Sequence, residues 1–263
     1  MATSEKIQVS YADDFVTTIE LNNGDYNYFD MEMLTSLADT VELLDEDDRC
    51  RVILLCSAGK AFCAGANFRG GPSPTGLEGK DGKGVGGHLY DQAVRLFATK
   101  KPVVAAVHGP AIGGGLGLAV AADFRVGCRE TRMAANFTQL GIHPGFGLSF
   151  TLPRLVGQQH AYDMFYTGRR VSGEEAYKMG LLDVFVDREQ LREVAHEKAA
   201  AIAGAAPLAV MSIRNTLRGD FAEEVRKATD HELSEQNRLL RTSDAKEGVL
   251  AVSERRPGKF TGS

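Results

Sequence analysis

The chain has 263 residues, 43% of them hydrophobic and 25% charged, with a formal net charge of -5 and a pI near 5.7. That length buries a sizeable core as one large domain, or as one domain with a smaller appendage. The acidic balance argues against a nucleic-acid surface, and no run of 18 or more apolar residues is present, so no membrane span is expected.

The N-terminal "MATSEKIQVSYADD" lacks a basic-then-apolar leader. "KIQVSYADDFVTTIELNN" reads as two short strands around a turn at residues 12–14, rich in β-branched and aromatic residues on both sides. "FDMEMLTSLADTVELLDED" carries Met33, Leu34, Leu37, Val41 and Leu44 three and four apart, as on one helix face. "RVILLCS" and "KPVVAAVHG" are short branched apolar runs that read as buried strands. Between them residues 70–87 hold eight glycines and two prolines. Too little apolar surface is available there to offset ordering, so the segment is expected to be a mobile loop, either a linker or a lid over a pocket. Helix is expected to resume near His88 and to end before Lys100–Pro102.

Beyond residue 150 the pattern turns helical. "LPRLVGQQHAYDMFYTG" and "SGEEAYKMGLL" read as successive helices, the second capped by Ser172. "DVFV" is a short strand, and residues 189–204, 207–218 and 220–241 read as further helices, with Pro207 at a helix start. Phe221, Val225 and Ala228 form a stripe that seals against the main body or against another subunit. Alternating strand and helix in the first half favours an α/β layer fold. Cys50, Cys56, Cys63 and Cys128 form no CxxC pair and no metal-ligand cluster. Packing roles in a reduced, cytoplasmic setting are expected, with no metal.

The segment "GPAIGGGLGLAVAADFRV" puts three glycines at the head of an apolar helix. No G-x-G-x-x-G spacing fits, "SAGKAF" lacks the second glycine and the Ser or Thr of a phosphate loop, and neither G-x-S-x-G nor H-E-x-x-H occurs. What remains is a glycine-rich turn from a buried strand into a helix N-terminus, where free N–H groups and the dipole favour negative charge. Close helix–strand packing is the alternative reason for the glycines.

"AGKAFCAGAN", "KPVVAAVHGPAIGGGLGLA", "AADFRV", "GIHPGFG" and "SGEEAYKMGLLDVFV" resemble, in this order and at matching intervals, the crotonase (enoyl-CoA hydratase/isomerase) superfamily. The resemblance covers nearly the whole chain. It implies an α/β spiral of ββα units over residues 1–200 and a C-terminal helical region over 201–263, used in trimerisation and often in a dimer of trimers. It also implies acyl-thioester substrates, with coenzyme A as part of the substrate or an acyl carrier protein in its place, and no further cofactor. The family's shared chemistry is a thioester enolate whose oxygen is held by two backbone N–H groups, here mapping to Ala66 and Gly114.

Hydratases of the family carry a glutamate two residues after the triple glycine and another shortly before the G-I-x-P-G turn. Those pocket positions here are Gly117 and Phe137, which move no proton; the first reads as empty space and the second as apolar. His143 in "GIHPGFG" titrates in a useful range, or is a loop histidine bonded to nearby backbone. His88 and Tyr90 open a helix from which some members recruit a pocket residue. Surface exposure for His88, and a packed ring with its hydroxyl in water for Tyr90, are the alternatives. Asn67 replaces the aspartate of "AGAD" and orients a carboxylate or water, or holds the turn. Asp123 reads as structural and His108 as a strand end.

"EGVLAVSERRPGKF" is similar to the family's "EGxxAFxEKRxPxF", which makes Arg255 a coenzyme contact, in its own or a neighbouring subunit, and sets Phe260 beside the adenine. Arg255 and Arg256 equally suit a solvated helix end. "LNNGDYNYFD" lacks the usual "NRPxxxNAL", so no coenzyme contacts carry over there. Three functions follow: hydration, dehydration or isomerisation of an acyl-CoA with substituted acid–base groups; decarboxylation of a malonyl- or glutaconyl-type thioester; or acyl-CoA binding without catalysis.

Overall fold

The alternating run at the start of the chain folds into a hairpin, β1 (Ile7–Tyr11) antiparallel to β2 (Val16–Leu21), with Ile7 opposite Leu21. The structure is a computed structural model that describes residues 5–68 and 87–263, apart from the side chains of 87 and 88. The glycine-rich stretch expected to be mobile therefore lies almost wholly outside the described residues. Asp30 caps α1 (Met31–Asp45) by accepting from Met33 N at 2.8 Å, and the expected stripe from Met33 to Leu44 is buried.

β3 (Val52–Ser57), β4 (Val103–Val107), β6 (Phe124–Cys128) and β9 (Val184–Val186) add in parallel, giving the order β1-β2-β3-β4-β6-β9. Parallel neighbours need crossovers. Helices supply them and cover both faces, so β3 and β4 are buried at every residue. One face packs on α1, on α2 (Gly87–Phe97) and on α3 (Gly114–Ala121). The other receives α7 (Leu191–Ala203) through Leu191, Ala195, Ala199 and Ala203, a four-residue period of mostly small side chains that lets the helix approach closely.

A second sheet, β5 (Pro110–Ile112), β7 (Arg132–Ala134) and β8 (Val171–Ser172), was not legible, because strands of two or three residues are too short to show alternation. The helix read over 152–168 is in fact α4 (Leu148–Val156) and α5 (Gln158–Thr167), broken at Gly157. Ser172 caps α6 (Gly173–Lys178) through Glu175 N, as expected. α8 (Pro207–Arg218), α9 (Phe221–Leu239) and α10 (Ser243–Ser253) complete the chain. Val225 is fully buried and Phe221 packs on Phe97 and Phe150, so the α9 stripe seals against the main body.

Asp123 has the structural place read for it. It accepts from Val103 N at 2.8 Å and pairs with Arg214 and Arg218 of α8, at 3.0 and 2.9 Å. Next to it Arg125, 2% exposed, spends its donors on Asp183, Leu181 O and Ala122 O. The four cysteines are free and buried; burial pushes the Cys63 thiol up to about 12 and Cys56 to about 11, which removes thiolate chemistry near neutral pH. Among the described residues no single helix is long and apolar enough to cross a membrane, and no cluster of three His, Cys, Asp or Glu is placed to hold a metal ion.

Candidate active site

Two separate chain segments meet beyond the ends of β3 and β4. A parallel bridge between Cys63 and Ala111 (Cys63 N to Pro110 O, 3.1 Å; Ile112 N to Cys63 O, 3.0 Å) lays residues 63–66 along β5. A Cβ added to Gly65 would stand 2.6 Å from the Ile112 carbonyl oxygen and 3.1 Å from Gly114 N. Gly113, at φ 55° and ψ -117°, turns the chain into α3 without a side-chain cap. Gly115 is required by packing, since a Cβ there would be driven into the Cys63 carbonyl. Close packing thus draws Gly65, the residue before Ala66, onto Gly114 at the head of α3. Among the described residues no acceptor takes either N–H, and both residues are half-buried while α3 from Gly115 onward is buried.

The walls of this corner are aromatic. Phe29 approaches Gly114 so closely that an added Cβ would lie 2.8 Å from its ring, and Phe137 lies 3.8 Å from the corresponding point at Gly113. The expectation of empty space at Gly117 is corrected: a side chain there would meet the ring of Phe146 at 2.6 Å. Phe146 is 1% exposed and stacks on Phe29 at 5.4 Å between centroids, with Phe97 edge-on at 6.3 Å.

Phe146 stands at φ 63°, a conformation uncommon for a non-glycine residue. Three side chains hold its turn. Tyr90 is buried rather than wet: its hydroxyl donates to Gln236 Oε1 at 2.7 Å and accepts from Phe146 N–H, and burial pushes its pKa up. Gln236 donates to His143 O at 2.8 Å. Glu232 accepts from Gly147 N (2.7 Å), Ser149 N (2.8 Å) and Ser149 Oγ (2.6 Å) at the head of α4. Burial raises the Glu232 pKa, against the pull of those donors. Tyr90→Phe is expected to cost about 1–3 kcal/mol in urea unfolding, because Gln236 and Phe146 N–H lose a buried partner. A loss near zero would show that the turn stands without the hydroxyl.

His143 follows its backbone alternative. Its Nδ1 is 2.9 Å from Pro144 O and its ring stands edge-on to His231. Asn67 directly follows Ala66 at the end of the described segment. His88 lies in the first turn of α2, but its side chain is outside the described residues. Arg255 is exposed at φ 57°, while Arg256 engages Glu247 (2.5 Å) and Glu254 (2.6 Å). Phe260 folds back over Gly258 in a tail pinned to Asp244 and Glu247 of α10. α10 itself packs, through Gly248 on Leu140, against the turn Asn136–Leu140 that carries Phe137.

His108 lies apart from this corner, in a cleft of about 260 Å³ with Arg188 and Arg192. Its Nε2 is 3.2 Å from the Gly59 carbonyl oxygen, which fixes that nitrogen as the protonated one. Burial, with the two arginines, lowers its pKa against that hydrogen bond. Because the folded value is depressed, its contribution to stability is full above about pH 6.5 and lost as pH falls through the folded value. Urea midpoints against pH are expected to lose this proton-linked limb in His108→Asn; an unchanged limb would assign it elsewhere.

A largely parallel sheet flanked by helices, with residues 63–66 laid along β5 beside the glycine run at the head of α3, is the arrangement of a crotonase-fold protein. A crystal structure of an enoyl-CoA hydratase/isomerase from Pseudoalteromonas atlantica T6c matches it with a TM-score of 0.86 at 28% identity, covering 98% of this chain and 100% of that one. The sequence profile of the enoyl-CoA hydratase/isomerase family matches residues 12–263. The 1,2-epoxyphenylacetyl-CoA isomerase of Escherichia coli (strain K12) is 31% identical over 257 residues, 97% of this chain and 98% of that protein. A crotonyl-CoA hydratase of Syntrophomonas wolfei is 30% identical over 236 residues, 89% of each. The chain belongs to the enoyl-CoA hydratase/isomerase family and is an acyl-CoA-processing enzyme.

Sequence reasoning missed Phe146, Glu232 and Gln236. A bulky ring between two glycines in "GFG" was a usable signal for the first. Glu232 and Gln236 sit in "DHELSEQNR", which reads as a solvated charge run.

Proposed function

We propose that Ala66 N and Gly114 N hold the oxygen of a thioester enolate, and that the enolate arises by loss of carbon dioxide from a malonyl-type acyl thioester. The observation that carries this reading is the apposition of Gly65 and Gly114 within walls made of Phe29, Phe137 and Phe146. Preorganised backbone donors stabilise charge where it develops. In the decarboxylation the C–C bond to the carboxylate breaks, its electron pair enters the enolate, and a solvent proton then adds at Cα. No base is consumed, which suits positions 117 and 137 as glycine and phenylalanine. An apolar wall at Phe137 also raises the energy of a desolvated carboxylate relative to the more diffuse enolate. Coenzyme A is the carrier this reading assigns, with Arg255 and Phe260 as its contacts and a homotrimer as the assembly.

Isomerisation or hydration through substituted acid–base groups is the second reading, favoured by the 31% identity to an isomerase along nearly the full chain. Mass spectrometry of enoyl-, 3-hydroxyacyl-, malonyl- and methylmalonyl-CoA incubated in deuterated water separates the two. Loss of 44 mass units of carbon dioxide, roughly, with deuterium at Cα supports the first. Deuterium entering an enoyl or saturated acyl chain without loss of carbon dioxide supports the second. No change in any thioester, with binding confirmed, moves the assignment to a non-catalytic member.

A further inference from the structure

We infer that Phe146 determines how the enolate is reached: its ring occupies the volume of a side chain at 117 and so keeps any proton-transferring group off that side of the oxyanion corner. The inference rests on the enolate reading above and deepens it. Positions 114 and 117 are three apart on α3 and share a face, so a carboxylate at 117 would project beside the Gly114 donor. The ring prevents it, since a Cβ at 117 would meet Phe146 Cδ1, Cβ and Cγ at 2.6, 2.7 and 2.8 Å. All three are too close for a simple rotation of the ring to relieve them, because Cβ is fixed to the backbone.

That backbone is held from two directions. Tyr90 on α2 receives the Phe146 N–H, and Glu232 on α9 receives Gly147 N at 2.7 Å. Gln236, one helical turn beyond Glu232, takes the Tyr90 hydroxyl and donates to the carbonyls of His143 and Pro144. Tyr90, Glu232 and Gln236 are thus positioning residues that act through Phe146. The wedge is also part of a stack, with Phe29 nearly parallel at 14° and Phe97 edge-on at 61°. Moving it opens the core, so it does not yield to a side chain at 117.

The test compares the wild type with Gly117→Glu, Phe146→Gly, which removes Cβ as well as the ring and suits the φ of 63°, and the double variant. Each is assayed for proton–deuterium exchange at Cα of butyryl-CoA, a thioester with no carboxylate to lose. The wild type and Phe146→Gly are expected to show no exchange above the enzyme-free control, and Gly117→Glu to unfold at lower urea. The double variant is expected to regain much of that loss and to gain at least about 10²-fold exchange, the lower end of general base catalysis. Exchange in Gly117→Glu alone would overturn the inference, as would a double variant no more stable than Gly117→Glu. Binding of 2,4-hexadienoyl-CoA isolates the reading beneath it. A red-shifted absorption in the double variant reports a polarised thioester carbonyl, and a red shift without exchange overturns the role of Phe146 alone. No red shift in the wild type overturns the oxyanion assignment, and this inference with it.

Discussion

Replacing Gly114 by proline is expected to abolish turnover. Proline normally suits the first residue of a helix, where its missing N–H has no helical partner. Here that N–H is the proposed oxyanion donor, and the neighbours add strain. A residue before proline is confined to extended conformations, whereas Gly113 stands at φ 55° and ψ -117°. The ring would also extend toward Phe29, whose Cε2 lies 2.8 Å from a Cβ at 114. Loss of activity in this variant therefore mixes a lost donor with a distorted turn.

An ester in place of the 113–114 amide separates them, because it exchanges the N–H for an oxygen and leaves the shape nearly unchanged. Removal of one preorganised donor lowers kcat by roughly 10²–10³-fold, or about 3–4 kcal/mol. KM should change little, since the donor serves the developing charge more than the ground-state carbonyl. Measured as carbon dioxide release from methylmalonyl-CoA, undiminished kcat in the folded ester protein would sink the assignment of Gly114. The same substitution at Ala66 is expected to behave alike. Together the two are expected to lose less than the product of the single losses, because both donors serve one oxygen.

Asp123→Ala is expected to cost about 3–5 kcal/mol of unfolding free energy. The carboxylate joins β4, the β6 edge and α8 at one point, with its side chain 18% exposed against Arg214 at 9% and Arg218 at 18%. Burial already lowers the pKa of Arg218, with Asp123 opposing that shift and Arg214 and Arg125 adding to it. Removing Asp123 leaves three guanidinium groups close together in a poorly solvated place and strips an acceptor from Val103 N. Urea unfolding of the wild type and variant at constant salt reads the difference. A change below about 1 kcal/mol would put this cluster with ordinary surface pairs.

The fold's frame was legible where the signal is local. The stripe Met33, Leu34, Leu37, Val41, Leu44 repeats at the helical period, and burial of all five follows from that spacing. β3 and β4 are buried at every residue because both faces of a parallel sheet are covered. The second sheet escaped because its strands are too short to carry a period. The break at Gly157 escaped because the apolar pattern continues across it.

The candidate site divides in the same way. The residues of "AGKAFCAGAN" and "GPAIGGG" by themselves pointed to bare backbone at one helix start, with close helix–strand packing as the alternative reason for the glycines. Their resemblance to one family fixed the class of chemistry, and glycine at 117 and phenylalanine at 137 were plain in the letters. Only the tertiary structure decided what packs beside them. The volume beside Gly117 is filled by Phe146 from the turn that leads into α4, and that turn is held by Glu232, 85 residues beyond the Gly147 amide it caps. Periodicity and turn preference act between neighbours in sequence, whereas close packing acts between neighbours in space, and the choice of what fills a vacated position belongs to the second.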